Sequence, residues 1–249
     1  MAAISMVDKP SQVFLQCKIN PKPVFLAVQE KLRDDRGMAD RRARPRAGLT
    51  REKILDAAIE FVDAHGLTAL STRKLGAAMG VDGMSLYHYV PNKAALLDGM
   101  VERLLEQSLA DLLPAPGTSW PDAVSAMAHG FRTTLLRHPA ALGIIATRPV
   151  NSPGAFRILE SGLAVLCDQG VELGRAMDIL NAVMMFVIGH TLAEAGATPG
   201  HEQDESAPAE ADPDAYPLLA AALATGAGLD FETRFTATVD ILVRGFAAG

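Results

Sequence analysis

Apolar residues three and four positions apart recur along the chain between turn-forming breaks, most densely over residues 50–97. Ile54, Ala58, Phe61 and Val62 form one helical stripe; Thr50 precedes it as a cap and Gly66 follows it as a stop. Ser71 or Thr72 caps a second helix whose inward side is Leu75, Ala78 and Met79. Gly80-Val81-Asp82 forms a three-residue turn, and a short third helix runs from about Gly83 to Tyr89. Two helices joined by a Gly-containing turn make a helix-turn-helix, which places its second helix in the major groove of DNA. Asn92 is placed to cap a fourth helix carrying Leu96, Leu97, Met100, Leu104 and Leu105, which Pro114-Ala115-Pro116-Gly117 ends.

Further helices are predicted at about 120–137, 153–169, 174–195, 215–225 and 230–247, so the fold class is all-α. Phe231, Phe235, Val239, Leu242 and Phe246 mark one face of the last helix, and Leu180, Val183, Met184 and Val187 one face of the helix at 174–195. The segment from Gly196 to Pro213 is rich in Pro, Ala, Gly, Asp and Glu without periodicity and reads as a mobile loop. The apolar run Ile179 to Gly189 is interrupted by Asn181 and falls short of the ~18 residues of a membrane span. It reads as a buried helix, and no membrane partner is expected.

Charge changes the picture. A net charge of −6 argues at first against a polyanion as partner. Residues 38–97, however, hold nine Lys and Arg against six Asp and Glu, whereas residues 98–249 hold eight against nineteen. A basic N-terminal module on an acidic body is the footprint of DNA binding by one end. The two cysteines, Cys17 and Cys167, lack metal-type spacing, and such sparse usage fits a reducing cytoplasm. Cys167 sits on an apolar helical face, as a structural thiol rather than a redox sensor. The first 37 residues contain four of the seven lysines, and Met38 opens Met-Ala-Asp-Arg-Arg-Ala-Arg-Pro-Arg. Met38 is therefore expected to be the physiological initiator, with an accessory segment as the alternative.

The block Ile54-Leu55-Asp56-Ala57-Ala58, Thr72-Arg73-Lys74-Leu75, Gly80-Val81, Leu86-Tyr87-His88-Tyr89-Val90 and Asn92-Lys93-Ala94-Ala95-Leu96 resembles the tetracycline-repressor (TetR) family of transcription regulators. Weaker similarity continues through Trp120, Phe131-Arg132, Leu135-Leu136-Arg137, Thr147-Arg148-Pro149 and Pro217-Leu218-Leu219. The resemblance implies an N-terminal extension and basic arm at 1–47, a three-helix DNA-binding domain at 48–95 and a ligand-binding and dimerisation domain at 96–249. By position it gives Arg73 a guanine in the major groove, whose two acceptors fit the guanidinium fork. Thr72, Ser85, Tyr87, Tyr89 and Lys93 match positions that hold phosphates, although Tyr89 equally suits packing against the first helix. Gly83 and Met84 replace the polar and proline pair at the tip of the reading helix, which puts the operator sequence in doubt; Met84 suits a thymine methyl. Arg41, Arg42, Arg44 and Arg46 form an arm that either enters the minor groove or stays solvated.

Where the resemblance places the polar groups that hold tetracycline, this chain has Leu109 and Met127. Its magnesium-binding histidine corresponds to Ile144, and its metal-linked glutamate to Ala193, one helical step of about 100° from Glu194. Phe131, Thr147, Arg148 and Pro149 are retained. Magnesium wants oxygen ligands, so no metal and no cofactor are expected, and the apolar set Leu109, Met127, Ile144, Met184, Met185 and Phe186 suits either a greasy cavity or an ordinary core. His129 and His190 are either polar anchors of that cavity or satisfied core histidines.

P-loop, dinucleotide, nucleophile-elbow, HExxH and paired Cys/His patterns are absent from the sequence, so an enzyme is not expected. The expectation is a homodimeric repressor, released from double-stranded operator DNA by a small, largely apolar effector. A constitutive DNA-binding dimer or an activator is the alternative.

Overall fold

Side-chain caps decide where most helices begin in the computed structural model, which describes residues 48–110, 117–148, 150–195, 211–226 and 230–248; the side chains of Leu109 and Ala110 fall outside that set. Among these residues all regular structure is helical, as the periodicity predicts. Helix α1 (Arg51–His65) starts where the Thr50 hydroxyl accepts the Lys53 N–H at 3.2 Å and stops at Gly66, whose φ of 76° suits glycine. Its buried face is Ile54, Leu55, Ala58, Ile59 and Val62, while Phe61 is half-buried. Ser71, not Thr72, caps α2 (Thr72–Ala78) by accepting the Lys74 N–H.

Two expectations fail here for physical reasons. Ala78 is exposed and Gly76 is buried in its stead, because the buried arc of α2 turns toward a close crossing with α3 that tolerates no Cβ at position 76. Helix α3 spans only Gly83–Leu86, not the stretch to Tyr89. The Leu86 carbonyl accepts from both Tyr89 and Val90 N–H at 2.9 Å, tightening the chain into a turn, and Pro91 keeps Val90 from continuing the helix.

Asn92 caps α4 (Lys93–Ala110), accepting the Ala95 N–H at 2.8 Å. This helix packs against α1 on one side and against α5 (Trp120–Arg137) on the other, joining head to body. A 3-10 turn at Pro139–Ala141 and a short α6 (Leu142–Thr147) follow; the periodicity gave no sign of either, since six residues are too few to repeat a helical pattern. Then come α7 (Pro153–Cys167), α8 (Leu173–Ala195), α9 (Pro217–Ala224) and α10 (Phe231–Ala248).

Helix α8 is the axis of the body and packs against α5, α6, α7 and α10. By length and composition its 23 residues suffice to cross a membrane, but Ala176, Ile179, Leu180, Val183 and Val187 are buried within the protein. Helix α10 runs antiparallel to it. Phe186 stacks on Phe235 with ring centroids 5.4 Å apart, and the Arg175 guanidinium donates to the Phe246 carbonyl. The aromatic stripe of α10 therefore serves the subunit's own core: Phe235, Val239 and Val243 are buried, with Phe231, Leu242 and Phe246 half-buried. Most of the expected loop (residues 196–210), the breaker Pro114-Ala115-Pro116, Pro149, Met38, Cys17, and Arg41, Arg42, Arg44 and Arg46 lie outside the described residues.

Candidate nucleic-acid interface

The head is built on a backbone-to-backbone contact. A Cβ at Gly76 would stand 2.7 Å from Gly83 Cα and N, and one at Gly83 would stand 3.0 Å from Arg73 Cα and the Thr72 carbonyl. Two glycines thus let α2 and α3 cross more closely than side chains allow, and Gly80 at φ 68° supplies the left-handed turn between them. Gly76 was not singled out from sequence. A glycine inside a helical pattern was the available signal for such an approach.

This crossing gathers Thr72, Arg73, Gly83, Met84, Ser85 and Tyr87 at one end of the head. Thr72 Oγ1 lies 3.1 Å from Tyr87 Oη. Arg73 and Lys74 are exposed, Met84 is 68% exposed and Tyr87 42%. Ser85 and Gly83 are half-buried, and Tyr89 packs its half-buried ring against the core. Lys93 stays exposed, but its ammonium donates to the Leu70 carbonyl at 2.9 Å, which ties the start of α4 to the loop before α2.

Ion pairs stitch this head to the body, and pattern reading gave no sign of them. Arg51 grips Glu102 with two hydrogen bonds, at 3.1 and 3.2 Å, and the Ser152 hydroxyl donates to the same carboxylate at 2.8 Å. Glu102 is 5% exposed and lies over Gly154 in the first turn of α7, where any Cβ would collide with it. Arg103 holds Asp56 at 2.6 and 3.1 Å, and that hydrogen bond raises its pKa. Burial, followed by the nearby Glu102 charge, pushes the Glu106 carboxyl above its ordinary range. His138 Nδ1 donates to Asp63 at 2.6 Å. Beside this seam is a recess of about 290 Å³ lined by Arg51, Tyr89, Pro91, Asp98, Asn151 and Ser152, among others.

The expected effector residues divide into two groups. Phe131 and Ile144 are buried in the core, with Met127, Met184 and Phe186 half-buried against it; Met185 points to solvent at 68% exposure. Thr147 is exposed and its hydroxyl donates to the Gly143 carbonyl, while Arg148 pairs with Asp98 at 2.7 Å and donates to the Ala94 carbonyl. Arg148 thus ties the end of α6 to the first two turns of α4. Leu109 has no described side chain.

His190 Nε2–H donates to the Phe231 carbonyl at 3.1 Å with its ring edge-on to Phe235, and burial lowers its pKa. His129 donates through Nδ1 to the Ser125 carbonyl and faces Thr236 through Nε2. Between them Arg132, with its side chain 8% exposed, binds Glu194 at 2.6 and 2.9 Å and also Glu232, and these bonds raise its pKa. Glu194 is therefore spoken for by a guanidinium.

Known proteins place the architecture. The family described as bacterial regulatory proteins, tetR family, matches residues 54–100, and the tetracyclin repressor-like C-terminal domain matches residues 113–249. The class D tetracycline repressor protein of Escherichia coli is 33% identical over 201 residues, covering 80% of this chain and 90% of the relative. An HTH-type transcriptional regulator of Saccharopolyspora erythraea is 34% identical over 222 residues, covering 84% of this chain and 89% of its own. ActR of Streptomyces coelicolor, solved in complex with actinorhodin, superposes with a TM-score of 0.64 at 26% identity, over 82% of this chain and 99% of that one. A TetR variant from Acinetobacter baumannii AYE in complex with minocycline gives 0.60 at 28% identity, over 81% and 98%. These relatives are regulators and not enzymes, the tetR-family match at residues 54–100 spans the Gly76–Gly83 crossing, and the chain belongs to the TetR family of DNA-binding transcriptional regulators.

Proposed function

We propose that the chain is a homodimeric repressor that leaves a palindromic operator when its body binds a small, largely apolar molecule other than magnesium-tetracycline. The observation that carries this reading is the glycine crossing, which holds Arg73, Met84 and the Thr72–Tyr87 hydroxyl pair on one exposed end of the head. Guanidinium and hydroxyls are the groups that reach guanine edges and phosphates, and Ser85 and Lys93 flank them.

Dimerisation is favoured by what α8 and α10 leave uncovered. Met185 (68% exposed) and Leu192 (41%) on α8, and Ile241 (65%) on α10, are large apolar side chains left to solvent, with Gly189 exposed on α8 and Ala237 and Gly245 on α10. Small residues beside large ones suit close helix approach, and a two-fold dimer presents two heads to half-sites about one turn apart.

The effector chemistry follows from the body. Met127 and Met184, half-buried against a core that includes Phe131 and Ile144, suit an apolar molecule, and Glu194 is paired with Arg132. Relatives crystallised with minocycline and with actinorhodin support a small organic effector. Displacing α6 would pull on Arg148, whose bonds to Asp98 and Ala94 pass the movement to α4 and the head.

Selection of genomic fragments by the purified protein, followed by release assays with small organic molecules, tests the reading. A palindromic site released by an apolar compound is the expected result. Arg73→Ala should cost about 1–3 kcal/mol at one guanine and relax choice there. A folded dimer that selects no sequence would overturn the proposal.

A further inference from the structure

We propose that Met84 reads the 5-methyl group of one pyrimidine in each half-site, so that the head accepts thymine or 5-methylcytosine there and discriminates against unmethylated cytosine. The inference rests on the operator-binding reading above and adds to it a chemical rule for one base.

Met84 is the second residue of α3, and its backbone is fixed: Asp82 Oδ1 accepts its N–H at 3.0 Å while the Asp82 carbonyl accepts that of Ser85 at 2.9 Å. Its side chain stands 68% exposed, next in sequence to Gly83, which packs against the Arg73 backbone. It is the most exposed large apolar side chain among the described residues of the head. Nothing in the subunit's own packing accounts for an apolar residue held out at this spot.

A side chain at Gly83 would run into the backbone of Arg73 and Thr72, so position 83 puts no reader forward. Of the Gly83-Met84 pair, the contribution to base choice falls to Met84.

Methionine carries no hydrogen-bond donor and only a weak thioether acceptor. Of the features that base pairs present in the major groove, the C5-methyl is the apolar one. Thymine and 5-methylcytosine carry that methyl at the same ring position, so an apolar contact does not distinguish them by it. An unbranched thioether adapts its path to such a target.

The magnitude is modest and measurable. Burying one methyl is worth ~0.8 kcal/mol, or about fourfold in affinity per half-site and roughly fifteenfold when both half-sites change.

The test begins with the duplex recovered by genomic selection. Each thymine is replaced singly by deoxyuridine, which removes only the methyl, and the two symmetric sites are then replaced together. At the sensitive position T·A is also exchanged for C·G and for 5-methylcytosine·G. Wild type and Met84→Ala, a surface substitution that leaves the core untouched, are titrated against the whole set. The expected result is one position per half-site where deoxyuridine weakens wild type about fourfold, where 5-methylcytosine binds about fourfold tighter than cytosine, and where Met84→Ala flattens both differences. Replacements that all stay within twofold, or a methyl effect that survives in Met84→Ala, would overturn the proposal while leaving the regulator reading intact. Selection that recovers no sequence would sink that reading, and this rule with it.

Discussion

The head and the body solve opposite problems with the same kind of helix. In the head, two glycines bring backbones into contact, and Arg73, Met84 and Tyr87 are exposed on a scaffold fixed by caps at Thr50, Ser71, Asp82 and Asn92. In the body the helices are longer and charge is drawn inward: Arg132 with Glu194 and Glu232, and Glu102 with Arg51 at the seam. A reading head has to hold a rigid outline against DNA. A body that answers a small molecule needs elements with more than one workable arrangement, and buried ion pairs give discrete contacts to make or break.

The largest expected effect tests the body's side of that contrast. Arg132→Ala leaves Glu194 partly buried without its partner and strips a cation from the face of Phe235, whose centroid lies 5.0 Å away. Removing one partner of a buried pair costs 3–5 kcal/mol, and the exposure of Glu232 places this case near the lower end, about 3 kcal/mol. Thermal unfolding should fall by roughly 6–12 °C. Glu232→Gln, at a carboxylate 65% exposed, should change it little. A small loss in Arg132→Ala would mean that the inward charges are incidental.

Next in size, Gly76→Ala tests the head. The new methyl meets Gly83 backbone at 2.7 Å and has no flexible side chain to push aside, so α2 and α3 must separate. Overpacking of this kind costs about 1–3 kcal/mol. DNA affinity should fall at least tenfold, since Arg73 and Met84 change their relative placement, while the body keeps its helical signal. Affinity measured by anisotropy beside circular dichroism separates the two; unchanged affinity would remove the crossing from the account.

What the sequence revealed follows the same division. The frame of the head was legible because caps and stops mark it: Thr50, Gly66, Ser71 and Asn92 bound its helices, whereas the roles of Thr72, Arg73, Met84, Ser85 and Tyr87 come from the resemblance alone. Its misreadings, Ala78 for Gly76 and an α3 drawn too long, were local, set by a backbone contact that no apolar stripe records. In the body, periodicity found the long helices but not α6, and it identified an apolar face of α10 without telling whether that face meets its own subunit or another. Nor does a pattern of single residues reveal Glu102 with Arg51, 51 positions apart.

That last pair offers a sharper test, of smaller size, at the boundary between the two regions. Arg51→Met leaves the Glu102 carboxylate with the Ser152 hydroxyl alone, a cost of about 1–3 kcal/mol for a buried group short of a partner. Combining it with Glu102→Gln should cost less than the two singles added, because the second change removes the stranded charge. Additive losses would show that head and body are joined by apolar packing and that these ions are bystanders.

The smallest expected effect concerns pH. His190 lies where α8, α5 and α10 meet, facing Glu194, Arg132, Arg234 and the Phe231 carbonyl. Burial lowers its pKa below the ordinary 6.5, and Arg132 and Arg234 act in the same direction against Glu194 and the carbonyl. The folded protein therefore holds this ring neutral where the unfolded chain would already be binding a proton. Stability from this residue is complete above the unfolded value of 6.5 and is lost as pH falls through it toward the lower folded pKa. His190→Gln keeps a donor toward Phe231 and does not titrate, so its melting temperature should fall less steeply between about pH 7 and pH 5. Every other group is common to both proteins, so the difference between the two curves isolates His190. Parallel curves would show that the body's buried charges already compensate the proton, and a wild type that gains stability on acidification relative to the variant would mean that Glu194, and not burial, governs this ring.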